Sequence, residues 1–177
     1  MKIFQIGFNR CGTRTLYHFF RNNNINSVHY DKGMIAKSMD RHYQNNKKLL
    51  HPKYNRTVFF SDMENIYLDR PVYASQLYYK ILDKQYPHSK FILNTRNLSD
   101  WIQSRCQHEN GNYLAMLCHK YNLTRDEIIK KWTDEWNTHH RQVKNYFKNR
   151  PIDLLIFNID TDSPYKIKNF FSNIIFL

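Results

Sequence analysis

Short apolar runs alternate with stretches of helical periodicity along this chain. The runs are rich in β-branched and aromatic residues, and they predict strands at about 2–6, 27–29, 58–60, 91–93 and 154–157. Apolar residues spaced three and four apart predict helices at about 13–22, within 33–50, and at about 71–82, 99–102, 124–147 and 164–172. Strands that alternate with helices in this way are typical of a parallel sheet covered on both faces. The pattern therefore predicts a three-layer α/β fold.

Local signals mark the ends of several predicted helices. Thr124 and Glu127 have the spacing of a capping box at the start of the longest helix, and Pro151 follows its end. Pro71 suits the first turn of its helix, and Ser99 is expected to cap the helix that follows residue 97. No internal repeat or linker interrupts the pattern. We therefore predict a single domain over residues 1–177.

Polar residues directly follow three of the predicted strands. These are the loop 7–15, Asp62 and Arg96. Ligands of parallel α/β sheets bind beyond the carboxyl ends of the strands. We therefore expect the three segments to converge on one rim of the sheet.

The loop 7–15 reads Gly-Phe-Asn-Arg-Cys-Gly-Thr-Arg-Thr and holds two of the four glycines in the chain. A glycine-bounded loop between a strand and a helix favours phosphate binding, because backbone N–H groups and the helix N-terminus offer several donors. The Gly-x4-Gly spacing resembles a Walker A loop. However, Thr13 stands where that motif needs Lys, and Arg14 where it needs the Mg²⁺-binding Ser or Thr. The loop therefore predicts a phosphate-like ligand, handled by a chemistry other than ATP or GTP hydrolysis.

Charge and composition limit the kinds of ligand and partner that the chain is expected to bind. The 27 Lys and Arg residues outnumber the 15 Asp and Glu residues, and the net charge of +12 favours anionic ligands. No long basic block or nucleic-acid motif occurs, so we expect no nucleic-acid partner. Cys11, Cys106 and Cys118 form no CxxC pair, so we predict neither a disulfide framework nor a bound metal. Without a secretory or membrane-spanning apolar run, we expect a soluble cytoplasmic protein with no membrane anchor.

Two motifs in the chain resemble those of the sulfotransferase family. The stretch Arg10-Cys-Gly-Thr-Arg-Thr-Leu16 resembles its 5′-phosphosulfate loop, in the branch that carries Arg rather than Lys. Arg96 follows a buried strand and Ser104 lies eight residues later, as in the family's 3′-phosphate element. Residues 154–171 are similar to its late strand and helix. The resemblance covers most of the chain apart from about 30–57.

This resemblance implies a P-loop NTPase-like sulfotransferase fold. It also implies transfer of a sulfuryl group from 3′-phosphoadenosine 5′-phosphosulfate to a hydroxyl or amine of a small-molecule or carbohydrate acceptor, without a metal. The product nucleotide would be 3′,5′-adenosine bisphosphate. The acceptor and the oligomeric state stay open. The implied cofactor-binding residues are Arg10, Cys11, Gly12, Thr13, Arg14, Thr15, Arg96 and Ser104.

Catalysis by such an enzyme needs a cation and a general base near the loop. Arg10 would stabilise the charge that builds on the bridging oxygen. Asp62 is the first choice for the base, since the family often places a His or an acidic residue after a strand, and His29 and Glu64 are the alternatives. Residues 30–57 and the aromatic-rich region 67–79 are expected to shape the acceptor pocket.

Departures from the family pattern keep two alternatives open. Cys11 replaces the usual Thr or Ser, and Arg14 is bulkier than the residue usually found there. An inactive protein that keeps the fold and binds an anionic partner is therefore one alternative. The other is a P-loop kinase for a small molecule or nucleotide, supported by the Walker-B-like run 58–62 but opposed by the missing Walker Lys.

Overall fold

The computed structural model describes residues 1–172. The strands in this part of the chain are β1 (Ile3–Gln5), β2 (Ser27–His29), β3 (Phe59–Ser61), β4 (Glu64–Asn65), β5 (Val72–Tyr73), β6 (Lys90–Thr95) and β7 (Leu154–Asn158). Five of them form a parallel sheet in the order β2-β3-β1-β6-β7, while β4 and β5 pair as an antiparallel hairpin.

Helices connect the strands of the sheet. They are α1 (Thr13–Asn22), α2 (Met34–Gln44), α3 (Ala74–Gln85), α4 (Leu98–Cys106), α5 (Asn112–Tyr121), α6 (Arg125–Tyr146) and α7 (Pro164–Phe171). Short 3₁₀ turns lie at Asp31–Gly33, Pro52–Tyr54, His108–Gly111 and Pro151–Asp153. No helix within residues 1–172 is long and apolar enough to cross a membrane.

Both faces of the sheet are buried. Phe4, Phe60 and Phe91 pack with α2, α3 and the last turns of α6, whereas Ile3 and Phe59 pack with α1 and α7. Alternate residues of a strand point to opposite faces, so adjacent positions in one run contribute to two different helical layers. The predicted three-layer α/β fold is confirmed.

A third apolar cluster lies outside these two layers. It joins α4, α5 and the first half of α6 around Trp101 and Trp132, and it includes Phe8 and Cys11 from the loop after β1. The loop is thus anchored to a packed helical unit through Phe8 and Cys11. Packing of this kind helps to hold the residues of a binding site in their productive geometry.

The structure corrects three local predictions. Pro71 does not begin a helix, because residues 72–73 first pair with β4 and α3 starts at Ala74. Asn97 rather than Ser99 caps α4, since its Oδ1 accepts the Ser99 N–H at 2.9 Å. Helix α5 was not predicted. The capping box of Thr124 and Glu127 is confirmed, and the single domain over 1–177 stays a prediction.

Candidate functional site

A cavity of about 470 Å³ is lined by residues that follow β1, β2, β3 and β6. The loop after β1, Asp62 after β3 and Arg96 after β6 all contribute to its wall. The structure therefore brings together the three segments that the strand-end rule selected from the sequence. In the sheet order, β6 and β7 lie on one side of β1, and β3 and β2 lie on the other.

Buried polar side chains hold the loop after β1 in place. Asn94 of β6 donates its Nδ2 hydrogens to the carbonyls of Phe8 (3.2 Å) and Cys11 (2.8 Å). Gln5 Nε2 donates to the Gly7 carbonyl (2.8 Å) and to Asn94 Oδ1 (2.5 Å). These contacts satisfy the loop carbonyls from the protein interior. The first N–H groups of α1, which lack helical partners, are left to bind an anion.

Both loop glycines are required by close contacts. A Cβ at Gly7 would lie 2.0 Å from the Asn94 carbonyl oxygen. Gly12 has φ +74°, and a Cβ there would lie 2.8 Å from Ile159 Cγ2. A larger residue at either position would displace the loop from β6 or from the chain after β7.

Arg10, Arg96 and Ser104 form what we call the cationic side of the cavity. Arg10 Nε donates to Ser104 Oγ at 3.1 Å, and Arg96 Nη1 donates to the Arg10 carbonyl at 3.4 Å. Arg96 Nη2 also contacts Asp160 Oδ1 at 3.2 Å. Its Nε is buried and has no hydrogen-bond partner within residues 1–172. The two motifs predicted to bind phosphate are therefore in direct contact.

The opposite wall, which we call the carboxylate side, follows β2 and β3 and includes the turn between α4 and α5. Its members are His29, Tyr30, Asp62, Glu64, Tyr67 and Glu109. His29 Nε2 lies 3.7 Å from Asp62 Oδ2, which is too long for a hydrogen bond, and each side chain is 18% exposed. His29 Nδ1 instead contacts Ser61 Oγ at 3.0 Å.

Burial controls the protonation of these groups. It raises the pKa of Asp62 against the opposing charge of Arg10. It raises the pKa of Glu64 further, because the Asp62 charge adds to the effect. Burial, together with the charges of Arg14 and His18, lowers the pKa of His29 to about 4. The wall therefore holds a neutral imidazole beside two carboxyl groups that retain a proton more readily than exposed ones.

Comparison with known families decides the assignment. Residues 2–162 match the sulfotransferase domain family. The chain belongs to the sulfotransferase family. The matched range includes the loop, Asp62, Arg96, Ser104 and Asp160. A search of curated proteins finds no match.

Seven of the eight cofactor-binding residues predicted for this sulfotransferase line the cavity. They are Arg10, Gly12, Thr13, Arg14, Thr15, Arg96 and Ser104. Cys11 is different, because its side chain is fully buried against the α4–α6 cluster and burial raises its pKa to about 12. Its thiol is therefore turned away from the cavity, which leaves only the backbone of Cys11 to contact a ligand. No cluster of three potential metal ligands occurs within residues 1–172.

Sequence reasoning missed several residues of this site. Asp160 holds Arg96 and accepts the Asn97 N–H at 3.1 Å, and the strand-end rule could have found it because it follows β7. Tyr30 and Tyr67 come from the two segments expected to shape the acceptor pocket, whereas Tyr78 and Tyr79 of the same aromatic region pack in the core. Other cavity residues missed by the prediction are Asn9, Ile66, His108, Glu109, Tyr113 and Ile159.

Proposed function

We propose that this sulfotransferase transfers a sulfuryl group from 3′-phosphoadenosine 5′-phosphosulfate to a hydroxyl or amine acceptor, without a metal ion. The observation that carries the proposal is the contact between the two motifs, in which Arg10 of the loop binds Ser104 and Arg96 binds the Arg10 carbonyl. Two anion-binding elements joined in this way suit a ligand with two separate phosphate groups.

The residues present fit such a donor. The loop N–H groups and the N-terminus of α1 would hold the 5′-phosphosulfate, and Gly12 lets the backbone approach it closely. Arg96, whose buried Nε lacks a partner, would bind the 3′-phosphate together with Ser104. The donor supplies an activated sulfuryl group. Arg10 would stabilise the negative charge that develops on the leaving phosphate oxygen.

Asp62 is the residue that we propose as the general base. A base works best when its pKa is close to the working pH, and burial moves the pKa of Asp62 in that direction. His29, with a pKa of about 4, is a weaker base. Glu64 retains its proton more strongly than Asp62 does, because burial and, to a lesser extent, the Asp62 charge raise its pKa. We therefore assign the base role to Asp62 and keep His29 and Glu64 as the alternatives.

Calorimetric titration with 3′,5′-adenosine bisphosphate in the presence of EDTA tests this proposal. We expect saturable binding that is much tighter than that of AMP, which lacks the 3′-phosphate. Absence of binding at millimolar nucleotide would contradict the proposed donor. Mg²⁺-dependent binding of ATP in its place would indicate a P-loop kinase. Binding without transfer to any acceptor would indicate an inactive binding protein.

The cytoplasmic location, the small-molecule or carbohydrate nature of the acceptor, and the lack of nucleic-acid and membrane partners stay predictions.

A further inference from the structure

The carboxylate side of the cavity differs in charge from the rest of this basic chain. Asp62, Glu64 and Glu109 all line it, and Tyr30 and Tyr67 complete the wall. Burial raises the pKa values of both tyrosines, and the charges of Glu64 and Glu109 add to the effect, so these groups lie close enough to influence one another. An anionic acceptor would be repelled here, although the net charge of +12 attracts anions to the protein as a whole.

Most carboxylates elsewhere on the chain form a salt bridge with a Lys or Arg, whereas within residues 1–172 those of the cavity do not. Seven aspartates pair with a Lys or Arg at 2.7–3.2 Å, namely Asp31, Asp40, Asp83, Asp134, Asp153, Asp160 and Asp162. Within residues 1–172, neither Glu64 nor Glu109 forms a salt bridge with a Lys or Arg. The charges of Arg10 and Arg105 reach Asp62 and Glu64, but within the described residues no Lys or Arg binds Glu64 or Glu109 directly.

Asn9 provides independent evidence for a missing hydrogen-bond donor. It lines the cavity and is only 8% exposed. Its Nδ2 donates to Glu64 Oε1 at 2.8 Å, which fixes the orientation of the amide. Its Oδ1 is a buried acceptor with no partner among the described residues. Native proteins rarely leave such a group unsatisfied, so a donor is expected from the ligand.

The aromatic rings of this wall are also open to a cation. Within residues 1–172, no Lys or Arg lies over the ring of Tyr30 or Tyr67, whereas the ring of Tyr113 is covered by Arg105 at 5.3 Å. An ammonium group placed over an open tyrosine face gains electrostatic attraction from the ring.

We propose that the acceptor is an amino alcohol or an aminophenol, whose ammonium group donates to oxygens of Asn9, Glu64 and Glu109 beside the rings of Tyr30 and Tyr67 while its hydroxyl lies at Asp62. This inference rests on the proposed function. In the transfer, the acceptor oxygen forms a bond to sulfur as the bond from sulfur to the bridging phosphate oxygen breaks. The hydroxyl proton passes to Asp62, and 3′,5′-adenosine bisphosphate leaves with the electron pair of the broken bond.

Matched acceptors that differ only in charge test the proposal. One set is tyramine, 4-ethylphenol and 3-(4-hydroxyphenyl)propionate, and a second is glucosamine, glucose and glucuronate. Transfer of radiolabelled sulfate from the donor gives kcat/KM for each compound. We expect the ammonium-bearing member of at least one set to exceed its neutral analogue by about tenfold, with the anionic member lowest.

The variant Glu109→Gln sharpens this test because Glu109 is exposed and its replacement does not disturb the core. We expect the ratio of kcat/KM for the ammonium compound to that for the neutral analogue to fall about threefold, since an exposed charge is partly screened. The matched control is Glu135→Gln, which removes a half-buried carboxylate on α6 that is paired with Lys131. It should leave the ratio unchanged.

Two outcomes would overturn the inference while leaving the proposed function intact. One is equal or faster transfer to the neutral or anionic members of both sets. The other is no transfer to either ammonium compound by protein that binds 3′,5′-adenosine bisphosphate. Failure to bind that nucleotide would instead contradict the proposed function itself.

Discussion

The cationic and carboxylate sides of the cavity flank β1 and are built in different ways. On the cationic side, Arg10 lies in a continuous motif held by Asn94, and Arg96 and Ser104 lie eight residues apart. On the carboxylate side, the functional groups come from three separate segments. Positive φ values occur on both sides, at Arg10 (60°) and at Tyr30, Asp62 and Glu109 (54° to 58°). Such strained backbone is held by the surrounding fold rather than by local preference. The two sides therefore differ in sequence spacing: the residues of the cationic side belong to two short motifs, whereas those of the carboxylate side are brought together only by the fold.

Replacing Asp62, on the carboxylate side, should have the largest effect on catalysis. Asp62→Asn keeps the shape but removes the base, so we expect kcat to fall by about 10²- to 10⁴-fold. Binding of 3′,5′-adenosine bisphosphate should change little, because the nucleotide contacts the cationic side. Steady-state kinetics and calorimetry measure the two effects. A normal kcat in this variant would mean that His29 or Glu64, and not Asp62, is the base.

Replacing Arg10 is the corresponding change on the cationic side. Arg10→Ala should lower kcat by about 10²- to 10³-fold, because a cation at the leaving oxygen is used mainly in the transition state. Arg21→Ala is the matched control, since Arg21 is exposed in the last turn of α1. An equal loss in both variants would mean that overall charge, and not the position of Arg10, matters.

Arg96→Ala tests whether the cationic side recognises the 3′-phosphate. Loss of charged hydrogen bonds costs about 1.5–3 kcal/mol, so we expect the Kd for 3′,5′-adenosine bisphosphate to rise about 10- to 100-fold. The Kd for AMP should stay nearly the same. Calorimetric titration of both nucleotides measures the difference. If the variant keeps the wild-type preference, Arg96 serves only to bind Asp160 and the Arg10 carbonyl.

The same contrast explains how far the sequence could predict this protein. Local apolar runs predict the strands of the sheet. The rule that ligands bind beyond strand ends predicts that Asp62 and Arg96 belong to the site. The hairpin of β4 and β5 could not be predicted, because each strand has only two residues and Pro71 also suits a helix start. Tyr67 and Glu109 reach the cavity through this hairpin connection and through the turn before α5, and no local spacing specifies either placement.

Asn94 connects the loop to the sheet, and its replacement should lower stability by a smaller but measurable amount. Asn94→Ala leaves the carbonyls of Phe8 and Cys11 without their donor, which costs about 1–3 kcal/mol of unfolding free energy. Asn97→Ala, which removes an exposed cap of α4, is a control for an ordinary polar contact. Urea denaturation compares the two. Equal losses would show that the buried support of the loop adds nothing beyond such a contact.

The smallest expected effect is on the pH dependence of stability, to which His29 and Asp62 contribute with opposite signs. The pKa of His29 is lowered from 6.5 to about 4 in the folded protein. Between these values the unfolded chain binds the additional proton, so His29 makes stability rise with pH. The raised pKa of Asp62 has the opposite sign, because there the folded protein binds the additional proton and stability falls as pH rises.

The two contributions can be isolated by denaturation between pH 4 and pH 6.5. Relative to wild type, His29→Asn should make the slope of unfolding free energy against pH less positive, and Asp62→Asn should make it more positive. Asp62→Asn should also be more stable than wild type at neutral pH, because it removes the requirement to bury a charge. The same substitution would then lower kcat and stabilise the fold, which is expected of a carboxylate positioned for proton transfer rather than for packing. A slope unchanged by His29→Asn would mean that this imidazole is protonated alike in both states.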